Sequence, residues 1–186
     1  MRGPLLNSEQ LRRALEALAA LLPPATPATM TLIGGGGGVL AGLLPAQRHT
    51  VDIDVIDVDP PEVFDLCCYH APRVADACGL SPGWLDATAH TMRHMMLAGW
   101  RERTIPVGEF GPLKVQAIGR IDLISLKLIA GRQRDLEDLA ALRMTTDEAR
   151  RLTRELPTLL RQGANPDVVE GAIRLLRQIG GSDGSA

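Results

Sequence analysis

The sequence predicts an α+β protein: a small mixed sheet flanked by helices, continued by a helical C-terminal extension. Three observations predict it. Short runs rich in Val and Ile, the pattern of strands, fall between Ala28 and Ile118. Apolar residues at helical spacing precede that stretch and fill the chain from Ile121 to Ile179. Proline and glycine clusters punctuate the pieces, which fits many short elements.

Taken in order, Asn7-Ser8-Glu9-Gln10 is a helix start, with Asn7 as cap and Gln10 reaching back in a capping box. Leu11, Leu15, Leu18 and Leu22 follow at helical spacing, and Pro23-Pro24 stops the helix. Met30 to Ile33 is a short strand. After five glycines, Val39 to Leu44 is expected to form a helix of a turn or two. Its start is expected to be loose, because glycine costs about 1 kcal/mol per residue relative to alanine. Val51 to Val58 is the clearest strand, and Pro60-Pro61 ends it. Glu62 to Cys78 is helical, with Pro72 expected to kink or split it. Ser81 to Asp86 opens another short helix. Arg103 to Val107 and Leu113 to Ile118 form a hairpin around Gly108 to Pro112. The helical remainder breaks near Gly131, at Met144 to Thr146 and at Gly163 to Pro166, with Thr146 as an N-cap. The implied organisation is one domain over residues 1–143, a helical extension over 144–179 and a disordered tail over 180–186.

With 186 residues, 45% of them hydrophobic and 23% charged, the chain can bury a real core and has the balance of a soluble protein. A net charge of −2 argues against a generalised electrostatic grip on nucleic acid. Two Trp, two Phe and one Tyr are too few for a platform that stacks single-stranded bases. Cys67, Cys68 and Cys78 have neither metal-ligand nor disulfide-framework spacing and suit a reducing compartment. No signal-peptide pattern follows Met1, and charges and prolines interrupt every apolar run. The expectation is a cytoplasmic protein without membrane contact.

The functional signal is Gly34-Gly35, followed by Arg48-His49-Thr50-Val51-Asp52-Ile53-Asp54. Side chains two apart on a strand share a face, so Asp52 and Asp54 would project together. Carboxylates are ligands that Mg²⁺ prefers, and backbone N–H groups at glycines can approach an anion. Taken alone, the two aspartates fit a solvated strand face as well as a metal site.

This block resembles the DNA polymerase β-like nucleotidyltransferase superfamily, whose pattern is hydrophobic-Gly-Gly, a short helix, then Asp-hydrophobic-Asp on a strand. It is most similar to small bacterial nucleotidyltransferase-like proteins and AbiE-type toxins. These carry Arg-x-Thr-x-Asp-x-Asp, matched here by Arg48, Thr50, Asp52 and Asp54. The likeness extends to Trp84-Leu85-Asp86, to Lys127-Leu128-Ile129-Ala130 and to Arg134-Asp135 with the residues after it. The resemblance implies transfer of a nucleoside monophosphate from an NTP, with Mg²⁺ or Mn²⁺, to an RNA or protein acceptor. It implies Asp52 and Asp54 as metal ligands, and Gly34, Gly35, Arg48, Thr50 and Arg134 as nucleotide contacts. Lys127 and Asp135 would complete the catalytic set. Such proteins often have a cognate antitoxin, and a homo-oligomer is the other partner class expected.

Several residues keep a second reading. Lys127 and Asp135 also fit a capped helix, with Glu137 and Asp138 solvated. Arg48 suits pairing with an aspartate as well as phosphate contact. A third carboxylate is expected on the strand Leu113 to Ala117, which carries Gln116 and no acid. That gap leaves open a fold that binds nucleotide, or a protein partner, without catalysis. Asp57 and Asp59 should face away from Asp52 and Asp54 if the pleat is regular. His90 and His94, at i and i+4 of a helix, lack the adjacent Glu of a metalloprotease motif.

Overall fold

The computed structural model describes residues 4–181. It is a mixed α+β protein whose chain divides into two compact units, Met1–Met92 with Thr104–Ile118, and Arg93–Arg103 with Gly119–Ala186.

The first unit holds the sheet. Helix α1 (Ser8–Ala19) begins with the expected capping box between Asn7 and Gln10. It buries Leu11, Ala14, Leu15 and Leu18. Strand β1 (Ala28–Ile33) runs directly into α2 (Gly34–Leu40); β2 (Ile53–Asp59) and α3 (Glu62–Cys78) follow. Leu85–Asp86 is a two-residue strand, β3, rather than a helix start, because it pairs with the beginning of β2. Strands β4 (Ile105–Phe110) and β5 (Leu113–Ala117) form the expected hairpin, but Gly108 to Phe110, expected in its connection, pair with β5 and leave only Gly111-Pro112 as the turn. The sheet order is β3-β2-β1-β5-β4, with β1 antiparallel to β2 and parallel to β5.

One face of this sheet is apolar. Met30, Leu32, Val55, Val58, Leu113 and Val115 join one core with the buried stripes of α1 and α3. Helix α3 is continuous through Pro72. Pro72 is exposed, while Val63, Cys67, Ala71 and Val74 are buried on both sides of it. That packing outweighs a lost helical hydrogen bond, so the expected split does not occur.

The opposite face is polar, and a β-bulge arranges it. Ile33 pairs with Asp54, Leu32 with Val55, and Thr31 with Asp57, which leaves Ile56 as the extra residue. The bulge returns Asp57 and Asp59 to the face that carries Asp54, against the expectation for a regular pleat.

The second unit is helical: α4 (Arg120–Ala130), α5 (Gln133–Leu142), α6 (Thr146–Glu155) and α7 (Pro166–Gly181). The breaks fall where expected, at Gly131, before Thr146 and after Gly163, and Thr145 rather than Thr146 caps α6 by accepting from the Glu148 N–H. Helix α7 runs through Gly181; the remainder of the 180–186 tail lies outside the described residues. No helix among the described residues is long and apolar enough to cross a membrane.

Candidate active site

The site is built at the junction of β1 and α2, where no linker separates Ile33 from Gly34. Gly34 has φ 67°, a conformation that costs an L-residue about 1–2 kcal/mol. A β-carbon there would also overlap Asp54 Oδ2. On Gly35 it would stand 2.6 Å from Arg48 Cζ, and on Gly36 2.8 Å from the Asp52 carbonyl oxygen. The glycines are thus the spaces that Asp54, Arg48 and the Asp52 backbone occupy. They also correct the expected helix start: the glycines themselves form most of α2, and Gly35 to Gly38 are buried. Tight packing, not propensity, holds this helix.

Asp54 is the second residue of β2, while Asp52, expected within the strand Val51 to Val58, lies one residue before its observed start. Pairing starts at Ile53, whose N–H donates to Trp84 O at 2.6 Å. Asp52 and Asp54 are both half-buried. Thr50 is buried, with Oγ1 3.2 Å from Asp52 Oδ1 and 3.2 Å from its carbonyl oxygen. Arg48 Nη1 also donates, at 3.4 Å, to His49 O. Gly34, Gly35, Arg48, Thr50, Asp52 and Asp54 therefore come together around one strand–helix junction.

On β5, Gln116 stands opposite Thr31 of β1. Its Nε2 donates to Thr31 Oγ1 at 2.9 Å, and its Oε1 accepts from Thr104 Oγ1 at 3.2 Å. Both ends of the amide are engaged where an acid was expected. Among the described residues, no three His, Cys, Asp or Glu side chains are grouped to hold a metal ion. His90 and His94 lie in a 3₁₀ segment, Thr88–Met95, where i and i+4 no longer share a face. The donor set at Asp52 and Asp54 fits Mg²⁺ nonetheless. Mg²⁺ commonly takes one or two protein carboxylates and fills its octahedron with water and substrate phosphate.

The remaining expected residues lie in the second unit. Lys127 of α4 is buried, with its ammonium 2.7 Å from Asp135 Oδ1 and 2.7 Å from Asp138 Oδ2. Asp135 also accepts from the Arg132 N–H at 3.3 Å, so it caps α5 and pairs Lys127 at once. Arg134 is exposed on the first turn of α5. Asp138, read as solvated from the sequence, is 4% exposed. The signal for it was its spacing: three residues after Asp135, on the same helical face.

A family model described as nucleotidyltransferase of unknown function (DUF6036) matches residues 9–148, more than half of the chain. No curated protein and no solved structure matches it.

Proposed function

The chain belongs to that nucleotidyltransferase family, and from this membership we propose that it transfers a nucleoside monophosphate from an NTP, with Mg²⁺ or Mn²⁺, to an RNA or protein acceptor. The observation that carries the reading is the convergence of Asp54, Arg48 and the Asp52 backbone on Gly34, Gly35 and Gly36. That convergence sets a guanidinium and a carboxylate beside the first N–H groups of α2, which lack intrahelical acceptors and can donate to triphosphate oxygens. Arg48 adds charge-assisted hydrogen bonds to the same oxygens. Asp52 and Asp54 supply hard oxygen donors for the cation, while Lys127 is engaged within the helical unit by Asp135 and Asp138. A bound divalent cation neutralises charge on the triphosphate and on the departing pyrophosphate. The acceptor hydroxyl bonds to the α-phosphorus as the bond to pyrophosphate breaks, and its proton leaves to solvent.

A second reading is a nucleotide-binding or protein-interaction module without catalysis. The doubly engaged Gln116 amide favours it.

One experiment separates the readings. Each α-labelled NTP is incubated with the protein, Mg²⁺ and total RNA, and label is followed into RNA and into protein. Label that appears with wild type and not with the Asp52→Asn/Asp54→Asn double variant supports transfer. Folded wild type that binds NTP and transfers no label selects the binding module.

A further inference from the structure

Asp52 has a structural problem that Asp54 does not. It precedes the first paired residue of β2, so the strand ladder does not fix its backbone or its side chain. Two contacts take over that task. The N-terminal segment crosses beside it and forms an isolated antiparallel bridge: Leu6 N–H donates to Thr50 O at 2.6 Å, and Thr50 N–H donates to Leu6 O at 3.0 Å. Leu6 is itself an anchor, 1% exposed and part of the sheet core. Thr50, fixed by that bridge and 4% exposed, places its hydroxyl 3.2 Å from both the Asp52 carbonyl oxygen and Asp52 Oδ1. A threonine hydroxyl has one proton, so it is shared between these two acceptors.

We propose that Thr50 is a positioning residue for the cation site: clamped by Leu6, its hydroxyl orients the Asp52 carboxylate, and the N-terminal segment is thereby part of the site. This rests on the reading of Asp52 and Asp54 as cation ligands and revises the role expected for Thr50. A buried hydroxyl turned to Asp52 acts through the carboxylate, not on the nucleotide. By holding one carboxylate oxygen it leaves the other for the cation, and it lowers the ordering cost when the cation binds. Hydrogen-bond partners of metal ligands commonly influence affinity in this way.

The test is Mn²⁺ binding to the full chain without nucleotide, followed by electron paramagnetic resonance, for wild type, Asp52→Asn, Thr50→Val and Thr50→Ser. Valine keeps the branched shape and removes the hydroxyl; serine keeps the hydroxyl. The expected result is Mn²⁺ binding about tenfold weaker in Thr50→Val, restored toward wild type in Thr50→Ser. Thr50→Ala is the substitute if the valine variant does not fold. Wild-type affinity in folded Thr50→Val, with loss in Asp52→Asn, overturns the positioning role and leaves the cation site standing. Binding that is absent from wild type, or unchanged in Asp52→Asn, overturns both.

Discussion

Asp138 Oδ2 lies 2.7 Å from the Lys127 ammonium, inside the helical unit, while Asp135 Oδ1 lies at the same distance from it. One cation therefore serves two buried carboxylates that sit a helical turn apart on α5. Removing the lysine takes the ammonium from both acids at once, whereas removing one acid leaves an ordinary pair. Lys127→Met is expected to destabilise the protein by about 3–5 kcal/mol, the scale for breaking a buried ion pair. Asp138→Asn is expected to cost distinctly less. Urea unfolding of the two variants checks the order; an equal loss would mean that Asp138 contributes as much as the lysine.

Gly34 carries two separate demands, a left-handed backbone and room for Asp54. Gly34→Ala should therefore cost about 1–2 kcal/mol from backbone strain alone. It should also displace the Asp54 carboxylate. The expected outcome is a folded protein of lower melting temperature whose nucleotide affinity falls further than its stability does. Gly42 also has positive φ but nothing within 4 Å of an added β-carbon, which makes Gly42→Ala the control. It should lose stability and keep nucleotide binding.

What the sequence revealed divides along physical lines. The ends of helix α3 were legible to the residue, since Pro60-Pro61 and Gly79 flank them, whereas the split expected at Pro72 gave way to packing on both sides of it. The breaks after Gly131 and Gly163 were legible for the same reason, each glycine being left-handed at a helix C-terminus. The glycine helix α2 was not, because propensity argues against it and only close packing permits it. Nor was the side of the sheet on which Asp57 lies. Strand alternation is blind to a bulge, and one extra residue at Ile56 reverses every later side chain. In the site, chemically typed residues and their spacing pointed to Gly34, Gly35, Asp52 and Asp54. The spacing of Asp138 from Asp135 marked it as a second partner for Lys127, while the Leu6 contact to Thr50 depends on tertiary structure.

The cysteines supply a test of the core around α3. Cys67 is fully buried, and burial, with Cys68 beside it, pushes its thiol up to about 12. Cys78 is exposed at the end of the same helix. The thiolate is the reacting species, so alkylation at pH 8 should modify Cys78 first and leave Cys67 intact until the protein unfolds. Peptide mapping after iodoacetamide treatment reads the order directly. Early modification of Cys67 in the native protein would show that α3 opens without global unfolding.

Glu148 links α6 to the start of α4. Its Oε1 lies 2.7 Å from Arg120 Nε, and its Oε2 accepts from the Thr145 N–H at 2.8 Å. Burial pushes this carboxyl up, but the Arg120 guanidinium and the Thr145 bonds outweigh it, and the group is held below the ordinary carboxylate range. A carboxyl lowered on folding binds its proton more readily in the unfolded chain. Its stabilisation is therefore present above the ordinary carboxylate range and lost as pH falls through the folded value. Glu148→Gln is expected to lower stability at pH 7 by about 1 kcal/mol, the upper scale for a partly exposed ion pair. The gap to wild type should close as pH falls below about 4. Urea melts of both proteins from pH 7 to pH 3 measure that closing gap, and a gap that stays constant would assign the loss to shape at the α6 cap rather than to charge.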